Sequence, residues 1–177
     1  MGTLYFARHG QTVWNVENKI CGVTDIPLTE LGHEQAIALG KRIAAEKLPV
    51  DEILYSPLMR ASETARHISE ETGIPMRMEP RLKEQNFGRF ESTPRDGQEF
   101  RNAKTHFLDH YDGGETMMQL CQRVYNLIDD IRAGHQTYLL VAHNGISRAV
   151  HSYFYDMSNE EFAAFGISNC EVKAYTW

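Results

Sequence analysis

Five side chains in this sequence could together process an anion: Arg8, His9, Arg60, Glu84 and His143. A guanidinium stays charged at any working pH and grips phosphate oxygens through paired N–H groups. A neutral imidazole can attack as a nucleophile. A second histidine can hydrogen-bond a phosphoryl group as its charge redistributes. A protonated carboxyl can give its proton to a leaving oxygen, and nearby phosphate favours that protonated form by like-charge repulsion. The same residues allow another chemistry, because His9, His143 and Glu84 could form a two-histidine, one-carboxylate metal triad. Arg8 and Arg60 weigh against it: a cation about 4 Å from a guanidinium meets several kcal/mol of repulsion at intermediate dielectric. A third reading is a module that binds phosphate without turnover, and the presence of all five groups favours an enzyme over it.

The elements that must position these residues can be read from periodicity. Residues 3–7 form a buried strand that runs into Arg8-His9-Gly10. Residues 29–47 form an amphipathic helix with Thr29 as N-cap and Leu31, Ala36, Leu39 and Ile43 on its apolar face. A short strand at 52–55 leads to Ser56-Pro57, the expected N-cap and first position of a helix that ends at Gly73. A weak strand lies near 76–79. Residues 83–114 lack clean periodicity and predict a loop-rich flap at about 85–115. Residues 115–133 form a helix with Leu120, Val124, Leu127, Ile128 and Ile131 on one face. The most apolar strand spans 137–142, a helix follows Asn144-Gly145, and 171–176 alternates as an edge strand. Strands alternating with helices predict an α/β fold: a three-layer α/β/α sandwich with a mostly parallel central sheet and an edge strand near the C-terminus, one domain over residues 1–177. Each candidate residue then lies beyond the carboxyl end of a strand, the edge where open parallel sheets bind ligands. The turn at Gly10-Gln11-Thr12 and the helix start after Gly145 add free N–H groups suited to an anion.

Composition narrows the partners. The 177 residues are 42% hydrophobic and 24% charged, with a formal charge of −6. That charge argues against nucleic acid or an anionic membrane as the main partner, and leaves a small anionic substrate open where arginines cluster. No apolar run reaches membrane-spanning length and no leader pattern opens the chain, so a cytoplasmic location is expected. Cys21, Cys121 and Cys170 suit reduced thiols. The C-terminal edge strand could pair across a homodimer.

The motifs resemble those of the histidine phosphatase superfamily, the phosphoglycerate mutase-like group. Arg8-His9-Gly10-Gln11-Thr12 with Trp14-Asn15 is similar to the first motif, and Gly22, Asp25, Pro27-Leu28-Thr29, Gly32 and Gln35-Ala36 to the segment after it. Ser56-Pro57-Leu58, Arg60-Ala61 and Glu63-Thr64-Ala65 resemble the second arginine motif. Leu82, Glu84, Phe87-Gly88 and Glu91 resemble the acid-bearing motif. Gly113-Gly114-Glu115-Thr116 and Val141-Ala142-His143-Asn144-Gly145 complete the series. The resemblance implies a phosphomonoesterase of the histidine acid phosphatase type, acting on a small phosphorylated metabolite. His9 would carry the phosphoryl group, Arg8, Arg60 and His143 would form the phosphate pocket, and Glu84 would serve as general acid and then base. Gln11, Thr12, Asn15, Cys21, Gly22 and Asn144 would line the substrate side, with no metal and no cofactor. The alternative is a phosphoglycerate mutase-type phosphotransfer. Mutases of this group carry a longer insertion than residues 92–112, and a short cover favours hydrolysis.

Substrate choice falls to the flap, whose Phe87, Phe90, Phe100, Phe107 and Tyr111 are expected mainly to pack it onto the domain, and whose Arg89, Arg95 and Arg101 could hold a second anion. His33, His67, His106, His110, His135 and His151 show no partner pattern and are expected to face solvent or be satisfied locally. The roles of His9 and Glu84 predict a rate that falls on both sides of a mildly acidic maximum.

Overall fold

The two most apolar runs lie side by side at the centre of the sheet, β1 (Thr3–Arg8) parallel to β4 (Tyr138–Ala142). The computed structural model describes residues 2–177. Strand β2 (Glu52–Tyr55) adds in parallel to the other side of β4, and β3 (Met76–Met78) in parallel to β2. Strand β5 (Val172–Thr176) runs antiparallel along β1, so the order is β3-β2-β4-β1-β5. The inner strands are continuously apolar because helices cover both of their faces. On one face Leu4, Phe6, Leu54 and Leu140 meet residues of α5 (Met117–Ala133) and α6 (Asn144–Phe154). On the other, Ala7, Ile53, Leu139 and Val141 meet α2 (Glu30–Glu46) and α3 (Met59–Thr72). This is the expected three-layer sandwich. Three short helices, α1 (Val13–Val16), α4 (Gln98–Ala103) and α7 (Asn159–Ala164), lie in the connections. Among the described residues no helix is long and apolar enough to cross a membrane.

Three local expectations change. Leu31 is 48% exposed, and α2 instead buries Gly32, Ala36, Leu39, Gly40 and Ile43. The small residues on that stripe let α2 lie close to α3, where a Cβ on Gly40 would come within 3.1 Å of the Ile68 Cα. Helix α3 starts at Met59, two residues later than Ser56-Pro57 implied. The cap comes from elsewhere: the Asp25 carboxylate accepts the Met59 N–H at 2.7 Å, which releases Ser56 for another role. The flap is more ordered than its sequence suggests. It contains α4 and a small apolar cluster of Ile20, Phe87, Phe90, Phe100, Ala103 and Tyr111, with Phe87 and Phe100 edge to face at 5.5 Å. Phe90 and Tyr111 serve packing as expected.

The turn at Gly10-Gln11 leans directly on the first turn of α2. A Cβ on Gly32 would sit 2.1 Å from the Gln11 carbonyl oxygen, and one on Gly10 would sit 2.4 Å from the Gly32 oxygen. Neither backbone can yield cheaply. Gly32→Ala is therefore expected to lower stability by about 1–3 kcal/mol, read as a shift in the urea midpoint. An unchanged midpoint would show that the turn has slack.

Candidate active site

Strand β1 delivers Arg8 and His9 to the carboxyl edge of the sheet. The His9 N–H donates to the Ala142 carbonyl, and the Asn169 side-chain Nδ2 donates to the His9 carbonyl at 2.8 Å. His9 Nδ1 lies 2.7 Å from the Gly10 carbonyl oxygen. A carbonyl can only accept, so Nδ1 carries the proton and Nε2 keeps its lone pair. His143, just past β4, stacks at a tilt to His9 with ring centroids 5.2 Å apart. Its Nε2 meets the Ser56 hydroxyl at 2.6 Å. Its Nδ1 is buried without a partner.

Arg60, the second residue of α3, is 1% exposed. It donates from Nη2 to the Gly22 carbonyl at 2.7 Å and from Nη1 to the Thr24 carbonyl at 2.9 Å. Arg8 donates from Nη1 to the Ile167 carbonyl at 2.7 Å. The Nε of each arginine lacks a partner. A buried polar group left unpaired costs roughly 1–3 kcal/mol, and the other such atom among the described residues is Gln85 Oε1. Unspent hydrogen-bonding capacity is thus concentrated around His9, where an anion would use it. Glu84 is buried, with Oε1 accepting the Gln85 N–H and Oε2 accepting the Gly145 N–H, both at 2.9 Å. Gly145 allows that approach, since a Cβ there would meet Glu84 Oε1 at 2.4 Å.

Electrostatics set the protonation states. Burial, then Arg60 and Arg8, holds His9 well below the ordinary imidazole range. Burial, Arg60 and His9 do the same to His143. His9 is therefore neutral without a base beside it, and any acid limb in the rate that it causes moves to lower pH than an ordinary imidazole would give. Arg8, pushed down to about 10 by burial and Arg95, still carries its charge at neutral pH. Burial pushes the Cys21 thiol up to about 11, so it stays a thiol and donates to the Thr24 carbonyl.

A cleft of about 110 Å³ opens over this set, lined by Arg8, His9, Asn15, Cys21, Glu84 and Asn144 among others. Arg60 and His143 lie buried behind it. Three residues expected on the substrate side have structural bonds in place of a cleft position. The Gln11 N–H donates to Gln35 Oε1, and its side-chain oxygen accepts from the Thr29 hydroxyl. Thr12 is fully buried and caps α1 by accepting the Asn15 N–H. Gly22 is wedged beneath Glu91, whose carboxylate accepts N–H bonds from Gly22, Val23, Thr24 and Phe87 and the Thr24 hydroxyl.

The flap arginines separate. Arg89 pairs outward with Asp112 and Glu99, Arg101 bonds Gln98, and Arg95 enters the cleft. Lys104 and Arg148 join it there, and sequence reasoning missed both. Arg148 stands one helical turn beyond Asn144 on the same face of α6, a spacing that could have revealed it. The Ser56-Pro57 pattern reads as a helix cap, which conceals Ser56 as the partner of His143.

Residues 4–177 match the family model described as histidine phosphatase superfamily (branch 1). The chain belongs to this superfamily. A relative named "Probable phosphoglycerate mutase GpmB", from Yersinia pestis, is 33% identical over 150 residues, 79% of this chain and 68% of that protein. Among solved structures, a mycobacterial glucosyl-3-phosphoglycerate phosphatase superposes with a TM-score of 0.84 at 27% identity, over 98% of this chain and 90% of that one. An Entamoeba histolytica phosphoserine phosphatase, solved with 3-phosphoglyceric acid, gives 0.84 at 26% identity, over 99% and 91%. The branch 1 fold and its phosphatase or mutase-like neighbours make this chain an enzyme of phosphoryl chemistry.

The buried histidines also leave a mark on stability. The unfolded chain protonates each near pH 6.5, while the folded protein resists protonation at His9 and His143. Stability is then full above about pH 6.5 and is lost as pH falls from there toward the folded values, by up to about 1.4 kcal/mol per pH unit for each histidine. Urea midpoints measured from pH 7 to 5 should fall, and His143→Asn should flatten the fall. Parallel slopes for the two proteins would contradict the burial of a neutral His143.

Proposed function

We propose that this chain is a metal-independent phosphomonoesterase of the histidine acid phosphatase type, acting through a phosphohistidine on His9. The observation that carries the reading is the 2.7 Å contact of His9 Nδ1 with the Gly10 carbonyl, which turns an unprotonated Nε2 into the free end of the ring. Nε2 attacks phosphorus and the bond to the ester oxygen breaks. Glu84 gives its proton to that oxygen, and the alcohol leaves. Glu84 then takes a proton from water, the water oxygen bonds to phosphorus, and the P–N bond returns its electron pair to Nε2. Arg8, Arg60 and His143 Nδ1 hold the non-bridging oxygens throughout. Each Glu84 oxygen accepts one N–H bond, which leaves each a lone pair for the proton.

The substrate in this reading carries a second anionic group. Arg95, Lys104 and Arg148 each donate to a backbone carbonyl, those of Lys19, Ala163 and Phe165. None has a carboxylate in salt-bridge range, whereas Arg66, Arg77, Arg81, Arg89 and Arg123 are all paired. Glu84 is the one carboxylate among the residues that line the cleft, so a phosphate dianion leaves cationic charge unmatched. Burial and Arg148 push Lys104 down to about 8, a strain that a bound anion relieves. Ile20, Phe87 and Phe100 also line the cleft and give it an apolar surface for a short carbon body. The neighbour named for glucosyl-3-phosphoglycerate and the phosphoserine phosphatase solved with 3-phosphoglyceric acid support this reading.

The relative named as a mutase favours a second reading, phosphate transfer within one substrate. That reaction must shut water out while the intermediate persists. The short flap and open cleft favour hydrolysis.

His9→Ala should lower kcat/KM for p-nitrophenyl phosphate by at least about 10³-fold, and the wild-type rate should survive strong chelator. Retained turnover in the variant would end the phosphohistidine reading. Arg95→Gln should raise KM about tenfold for a carboxylated phosphate ester while p-nitrophenyl phosphate changes less than about twofold. Equal losses on both would remove the second-anion reading and leave the first intact.

A further inference from the structure

We propose that His33, Glu63 and His67 form a binding site for one zinc-type divalent cation, which clips α2 to α3 behind the nucleophile turn. His33 stands in the first turns of α2, and Glu63 and His67 lie one turn apart on the facing side of α3. All three are half-buried, and each offers a ligand atom within 4.8 Å of the other two. His33 Nδ1 faces His67 Nε2 at 2.9 Å, with the rings edge to face. Two ring nitrogens at that distance share a single proton, and a cation can replace it. Two imidazoles and one carboxylate are the donor set of a zinc site that keeps its fourth position for water. Bonds of 2.0–2.2 Å set neighbouring ligand atoms roughly 3.3 Å apart in a tetrahedron. The histidine pair need open only by tenths of an ångström, and Glu63 need only swing inward.

Arg66 is the obstacle: its Nη2 lies 3.4 Å from His67 Nε2, so this exposed guanidinium must swing toward Glu70 as a cation enters. Both bonds from Arg66 to Glu63 end on Oε2, which leaves Oε1 to ligate. Arg66 also bonds Glu70 at 2.5 Å, so two carboxylates already oppose its charge, and its side chain is 43% exposed. It is screened in a way that the buried Arg8 and Arg60 are not. Glu63, Glu70 and Arg66 together carry a net −1. Glu70 Oε2 lies 3.7 Å from His67 Nδ1, the far nitrogen of that ring, where a carboxylate orients a metal-bound imidazole.

The position gives the site a consequence. Thr64, between the two α3 ligands, accepts the Gly10 N–H at 3.1 Å. Gln35, two residues past His33, accepts the Gln11 N–H at 2.9 Å. A cation here ties together the two helices that hold the turn bearing His9.

The test uses the full chain, stripped with chelator and titrated with Zn²⁺ by calorimetry and with Co²⁺ by visible absorption. One equivalent should bind. His33→Asn and His67→Asn should each weaken binding at least about tenfold, while His9→Asn should leave it unchanged. Zn²⁺ should raise the melting temperature of the wild type and not of the His33 and His67 variants. Their metal-free p-nitrophenyl phosphate turnover, within twofold of wild type, reports that they fold. Should either fail to fold, Glu63→Gln is read in its place. No binding at a hundredfold excess of metal, binding that survives loss of His33 and His67, or binding lost in His9→Asn would each overturn the proposal.

Discussion

The buried Arg60 guanidinium is the constraint around which the site is organised. A cation that is 1% exposed must find its compensation inside the protein. It takes the carbonyls of Gly22 and Thr24, while the Glu91 carboxylate takes N–H groups of the same loop. The peptide dipoles of residues 22–24 therefore run from an anion to a cation, and this fixes the wall of the cleft. Burial first, and then the same positive charge, keeps His9 and His143 neutral. One helical turn on, Thr64 gives its hydroxyl hydrogen to the Arg60 carbonyl and accepts the Gly10 N–H. The first turns of α3 thus supply the field at His9 and the support beneath its turn.

The charge distribution is uneven in a way that a net value of −6 conceals. Surface arginines such as Arg66, Arg77 and Arg81 spend their charge on neighbouring carboxylates. Those of the cleft spend one hydrogen bond each on a backbone carbonyl and keep the rest of the guanidinium free. A carbonyl orients a guanidinium without cancelling it, so the cleft stays positive inside an acidic protein.

Much of this was legible in the sequence. The strand and helix order, the sheet's parallel character and the edge strand followed from apolar periodicity, which burial on one or both faces imposes. Arg8, His9, Glu84 and His143 could be placed because each follows a strand. What could not be read was held by bonds between residues far apart in the chain. Asp25 caps α3 from 34 residues away, so Ser56 looked like the cap it is not. Leu31 was assigned inward by its spacing, yet the tight approach of α2 to α3 demands glycine and alanine at the contact. Lys104 and the pairing of His33 with His67 carry no local pattern, because only the folded neighbours bring them to their partners.

The Arg8-His9 turn is also tied to residues met much later in the chain. Arg8 is held by the Ile167 carbonyl, 159 positions on, and the His9 carbonyl by Asn169, which also reaches Asn15. Strand β5 then closes against β1. Asn169 lies 160 positions from His9 in the sequence. The backbone around His9 is therefore complete only once the antiparallel edge strand and the segment before it have docked. Order at the Arg8-His9 turn is in this way coupled to the antiparallel edge strand of the sheet, an element remote from it in sequence.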